Sequence, residues 1–151
     1  MRWCSADAHN YFIHQDEANT DSMVSNMKGS RASGSVVATR CTELVRGFGL
    51  IKGALIDQHF VRRRRHNRFI SAVLDTPFHL GVAIDESTAL IVHPDGHRGV
   101  LGESAASIYV ARHAKLTPPG PPVLGESGLI LSVLPSGSSY YPATGKVVLP
   151  H

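Results

Sequence analysis

Cysteine is scarce: the 151 residues hold two, Cys4 and Cys41. Two thiols so far apart make neither a disulfide framework nor a zinc-type ligand set, and they favour a reducing, cytoplasmic setting. Long apolar runs are missing as well. No stretch nears the roughly 18 uninterrupted apolar residues of a membrane span, and Asp7, His9 and Asn10 interrupt the start of the chain where a secretory signal would need an apolar core. Acidic residues are absent from Met23 to Thr42. Nine histidines are present, but His79, His93, His97 and His113 are scattered without a spacing such as His-Glu-x-x-His, so no metal and no cofactor is assigned.

What remains suits one domain: 42% of the residues are hydrophobic, an ordinary globular share. The net charge of +3 is concentrated in Arg62-Arg63-Arg64-Arg65, with Arg68 just beyond. Four adjacent guanidinium groups at a helix start repel one another and oppose the positive end of the helix dipole, at about 0.3–1 kcal/mol per badly placed charge. That placement makes sense if the chain must hold an anion there, because guanidinium forks bind carboxylates in bidentate fashion. A solvated basic helix end is the plainer alternative. A nucleic-acid patch fits less well, since no aromatic residue interleaves with the arginines to stack bases.

Along the chain, residues 1–42 are polar and rich in Ser, Asn and Gly, and the pattern predicts no regular element there. Residues 43–113 change character. Gly47-Phe48-Gly49-Leu50 is a turn-rich entry and Ala54-Leu55-Ile56 a buried-type strand ending at Asp57-Gln58-His59. A helical period then predicts a helix from about Arg64 to Asp75, stopped by Pro77. Short strands follow at Gly81 to Ile84, Thr88 to Val92, Gly99 to Leu101 and Ser107 to Val110, read as a small β meander with a turn at Pro94-Asp95-Gly96. In residues 114–151, Thr117 to Pro122 is a proline-rich spacer. A closing hairpin is predicted from Leu129 to Leu134 and Lys146 to Leu149.

The site is expected at Asp57-Gln58-His59-Phe60, where a strand end meets a helix, the position at which open α/β sheets place their ligands. A histidine there can act as a general base near neutral pH. A single histidine beside an apolar strand is more often structural, and the neighbouring arginines are what raise it to a candidate.

Gly47-Phe48-Gly49-Leu50, Ile56-Asp57-Gln58-His59-Phe60, Arg63, Arg65, His66-Asn67-Arg68, Gly81-Val82-Ala83-Ile84-Asp85-Glu86-Ser87-Thr88-Ala89-Leu90, Leu101-Gly102-Glu103-Ser104 and Ile108-Tyr109 together resemble the cyanophycinases of peptidase family S51. The resemblance covers residues 46–111 without a gap. It implies an α/β fold: the C-terminal part of a class I glutamine-amidotransferase-like (flavodoxin-like) sheet, with the N-terminal half missing. It also implies a serine-type peptidase acting on cyanophycin, a poly-aspartate with arginine in β-linked amides, to give β-Asp-Arg dipeptides. His59 then matches the general base, Asp57 and Gln58 line the site, and Arg63, Arg65 and Arg68 hold substrate carboxylates. Asp85 and Glu86 are read as turn and core hydrogen-bonding residues.

A nucleophile elbow needs small residues around a strained serine. The nearest approximation is Cys4-Ser5-Ala6-Asp7-Ala8, which makes Ser5 the candidate nucleophile although Asp7 replaces the expected glycine. No acid falls where one would orient His59 between nucleophile and base. The expectation is therefore a truncated form, completed by a second polypeptide or by assembly with its own copies. An inert module that binds an anionic peptide or a partner subunit through the arginines is the alternative.

Overall fold

The computed structural model describes residues 11–13, 44–46, 51–61, 66–118 and 125–151. Its centre is a strand–helix–strand unit: β3 (Ala54–Gln58), α1 (His66–Asp75) and β4 (Leu80–Ile84). β3 and β4 pair in parallel, from Ala54 opposite Leu80 to Gln58 opposite Ile84. Parallel neighbours cannot be joined by a tight turn, and the α1 crossover supplies the connection. Ala54 to Asp57 are all buried, as expected of a strand covered on both faces.

Alternation along the strands sorts the core into two layers. Leu55, Ala83 and Tyr109 pack with Phe69, Ala72 and Val73 of α1. Ala54, Ile56, Val82 and Ile108 belong to the opposite layer. The period of two is why Asp57, two residues after Leu55, faces the helix. α1 comes very close to β4 at Gly81, where a Cβ would lie 2.6 Å from Val73 Cγ2 and 2.9 Å from Tyr109 Cβ. The helix ends where Thr76 turns its backbone N–H and its hydroxyl onto the Ala72 carbonyl, at 3.1 and 2.9 Å, just before Pro77.

The expected meander divides between two sheets. β5 (Thr88–Val92) and β6 (Arg98–Gly102) pair antiparallel and leave the main sheet, and β7 (Ala105–Val110) returns to pair antiparallel with β4. β5 and β6 join β11 (Ser139–Tyr141) and β12 (Lys146–Val148) in a four-stranded sheet of order β12-β11-β6-β5. Its Val100 and Tyr140 cover the second core layer, with Leu90 and Val147 beside them.

The closing hairpin is β11 with β12. β10 (Ile130–Pro135), expected as its first strand, instead pairs antiparallel with β7 at the edge of the main sheet. The physical reason is apolar: paired with β7, β10 buries Leu134 fully in the second layer between the two sheets. Around the proline-rich spacer, β8 (Lys115–Leu116) and β9 (Glu126–Ser127) form a short antiparallel pair, with the Thr117 N–H on the Gly125 carbonyl at 2.9 Å. Two further strands, β1 (Tyr11–Ile13) and β2 (Leu44–Arg46), were not expected. β1 lies parallel to β3 and antiparallel to β2, giving the main sheet the order β10-β7-β4-β3-β1-β2. Three residues are too few for a strand period to register in sequence. The remainder of the 1–42 segment lies outside the described residues.

The architecture is thus mixed α/β, mostly strands with a single helix among the described residues, in three layers: helix, main sheet, small sheet. No helix of the described residues is long and apolar enough to cross a membrane.

Candidate active site

β3 and β4 run the same way, so their C-terminal ends open onto the same edge of the sheet. There a cavity of about 350 Å³ lies between Gln58 and His59 after β3 and the residues from Ile84 to Ala89 after β4. A strand-end crevice of this kind is the usual ligand position in open α/β sheets. Both walls turn sharply. His59 has φ 53° and Ser87 φ 54°, each a non-glycine residue in the left-handed region. Such residues are sparse and concentrate where backbone geometry serves a site.

His59 Nδ1 lies 3.3 Å from Glu86 Oε1. The ring as a whole is open, with 44% of the side chain exposed, yet Nδ1 itself is shielded from solvent and makes no aligned hydrogen bond among the described residues. The carboxylate is therefore the group placed to accept Nδ1–H after a small rotation, which leaves Nε2 as the basic nitrogen. Glu86, read from sequence as a turn residue, lies in the turn after β4, and its carboxylate faces the histidine. Asp85 keeps the expected hydrogen-bonding role, accepting the Ser104 hydroxyl at 2.8 Å. The sequence does contain a signal for Glu86. Once β3 and β4 are registered in parallel, with Gln58 beside Ile84, the residues following each strand meet, although 27 positions separate them in the chain.

The other expected site residues divide. Gln58 lines the cavity. Asp57 does not: its side chain is completely buried, accepts the Gln58 N–H at 3.0 Å, and holds Arg68 Nη2 with both carboxylate oxygens at 3.3 Å. Arg68, expected to hold a substrate carboxylate, thus has an internal carboxylate as its partner. The pair ties the end of β3 to α1 immediately behind His59. Arg63, Arg65 and Ser5 lie outside the described residues.

Behind the site, the rings of Phe60, His66, Phe69 and Tyr109 meet edge to face, with centroids 4.5–6.0 Å apart along the cluster. The Tyr109 hydroxyl sits 3.3 Å from His66 Nδ1, and burial pushes its pKa up to about 12. His66 thus lies at the exposed edge of the aromatic cluster, against Phe60 and the Tyr109 hydroxyl. Away from the cavity, His93 and His97 stack in parallel in the β5–β6 turn, 3.8 Å apart, with Asp95 2.6 Å from His97 Nδ1. Among the described residues no group of three or more His, Cys, Asp or Glu could hold a metal ion.

Comparison with known proteins agrees with the motif reading. No family model matches the chain. Curated relatives do. The cyanophycinase of Trichormus variabilis is 37% identical over 83 residues, 55% of this chain and 28% of the relative. That of Synechococcus elongatus is 40% identical over 75 residues, 50% and 23%. That of Geminocystis herdmanii is 29% identical over 121 residues, 76% and 44%. The chain spans about a quarter of the length of the first two and under half of the third. With the Asp-Gln-His-Phe strand end and the Glu86 loop brought together around one cavity, the chain carries a cyanophycinase-like region.

Proposed function

We propose that this chain contributes the base and orienting acid of a serine-type peptidase site of the cyanophycinase kind, cutting cyanophycin or related β-aspartyl peptides to β-Asp-Arg dipeptides. The observation that carries the reading is the His59–Glu86 contact of 3.3 Å at the rim of the strand-end cavity. The parallel run of β1, β3 and β4 with α1 over it supports a class I glutamine-amidotransferase-like fold.

The chemistry follows from the two side chains. A serine Oγ–H gives its proton to His59 Nε2 while Oγ bonds to the carbonyl carbon of a backbone amide. Glu86 faces Nδ1–H and stabilises the imidazolium that forms. The proton then passes to the amide nitrogen as the C–N bond breaks. Water repeats the sequence on the resulting ester and frees the serine. The nucleophile is Ser5 or a serine of a second polypeptide that completes the site. Arg63 and Arg65 hold the free carboxylate of the substrate's arginine, which a guanidinium fork fits. Asp57 and Arg68 act behind the histidine rather than on the substrate.

The test is to incubate the purified chain with cyanophycin, follow β-Asp-Arg release by mass spectrometry, and treat it in parallel with a serine-reactive phosphonate. Release that falls about 10⁴-fold in His59→Ala, with labelling lost in Ser5→Ala, is the expected result. Dipeptide binding with neither release nor labelling, both for the chain alone and for the chain mixed with the N-terminal half of a cyanophycinase, would replace the reading with an inert module that binds through the arginines.

A further inference from the structure

The chain passes between its two larger sheets three times, after β4, after β6 and after β10, and the first of these passages lines the cavity. Residues 85–87 lead out from β4 to β5, and residues 103–104 lead back from β6 to β7. These two passages are stitched together at several points. The Glu103 N–H donates to the Ser87 carbonyl at 2.9 Å, and the Asp85 N–H to the Ala105 carbonyl at 3.3 Å. The Ser104 hydroxyl donates to Asp85 Oδ2 at 2.8 Å. At Gly102, φ 138°, an added Cβ would collide with the Ser87 carbonyl oxygen, so the return passage can lie this close only because glycine is there.

Thr88 is the junction. Its Oγ1 accepts the Ser104 N–H at 3.1 Å and donates to the Glu86 carbonyl at 3.2 Å. One hydroxyl thus links the returning passage to the backbone of the residue whose carboxylate faces His59. The Glu86 loop carries a left-handed residue at Ser87 and lies at a cavity wall. Without a tie, its backbone has other conformations available, and a side chain 3.3 Å from its partner loses that contact with a small displacement.

We infer that Thr88 is a positioning residue: its hydroxyl, anchored on the Ser104 N–H, fixes the Glu86 backbone so that the carboxylate stays on His59 Nδ1. The inference rests on the proposed His59–Glu86 pair and extends it to a group that touches neither substrate nor imidazole. Valine has the shape of threonine without the hydroxyl, whereas serine keeps the hydroxyl without the methyl group.

The experiment reads the His59 tautomer by ¹⁵N NMR of histidine-labelled protein, above the pH at which the ring is protonated, with His59→Gln identifying the resonance. In the parent chain the proton is expected on Nδ1. Thr88→Val shifts the ring toward the mixed tautomer of an unrestrained imidazole, as Glu86→Ala does, while Thr88→Ser restores the parent pattern. Should Thr88→Val not fold by circular dichroism, Thr88→Ala, which removes the same hydroxyl without a branched side chain to accommodate, is expected to give the same shift. A parent-like tautomer in Thr88→Val, or in Thr88→Ala where that variant stands in, alongside a shifted one in Glu86→Ala overturns the role of Thr88 and leaves the pair intact. A parent-like tautomer in Glu86→Ala overturns the pair itself.

Discussion

His59 and Ser87 stand on opposite walls of one cavity with nearly the same left-handed backbone, φ 53° and φ 54°. A residue with a Cβ pays about 1–2 kcal/mol for that conformation. At Ser87, whose side chain is exposed, the strain serves only to turn the loop. Ser87→Gly is therefore expected to raise the melting temperature by about 2–4 °C, and the β-branched Ser87→Val to lower it by at least as much. Differential scanning calorimetry decides, and a glycine variant less stable than the parent would refute the assignment of strain.

The Asp57–Arg68 pair makes a second prediction. Removing one member of a buried pair leaves the other charge without compensation, at about 3–5 kcal/mol. Arg68 is partly open to solvent, which favours the lower end of that range. Arg68→Ala and Asp57→Ala are each expected to cost about 3 kcal/mol in urea denaturation, and the double variant less than the sum of the two. Additive losses would mean that the two groups do not act on each other.

Gly81 tests the packing of α1 on β4. A methyl group there meets Val73 and Tyr109 inside van der Waals contact, so Gly81→Ala is expected to destabilise by about 1–3 kcal/mol. Val73→Ala in the same chain should recover part of the loss by opening the space. Equal stability of Gly81→Ala and parent would show that helix and strand are not held this close in solution.

Tyr109 predicts an alkaline limit. Its hydroxyl is raised from 10 to about 12 by burial, so between those values the unfolded chain has released a proton that the folded chain still holds. Stability from this group is complete below pH 10 and is lost as pH rises through 12, by about 3 kcal/mol. Tyr140, also raised by burial, acts in the same direction. Tyr109→Phe is expected to flatten the fall in denaturation midpoint between pH 10 and 12, and an unchanged slope would remove Tyr109 from the explanation.

The sequence by itself determined most of the local elements and which residues were candidates for the site. The apolar run at Ala54, the helical period running to Asp75, the turn at Pro94-Asp95-Gly96 and the strand end at His59 were all legible, because each depends on neighbours within a few residues. So was the family resemblance, which the Asp-Gln-His-Phe and Glu-Ser-Thr segments carry. Tertiary structure alone decided which of these segments meet. Whether β5 and β6 continue the main sheet or leave it depends on what covers Val100 and Tyr140, and that surface is built from residues far away in the chain. The parallel register of β3 and β4 brings Glu86 to His59, and the alternation of β3 turns Asp57 away from the cavity to claim Arg68. Each outcome follows from a contact between distant segments, and side-chain chemistry read along the chain carries no information about distance across it.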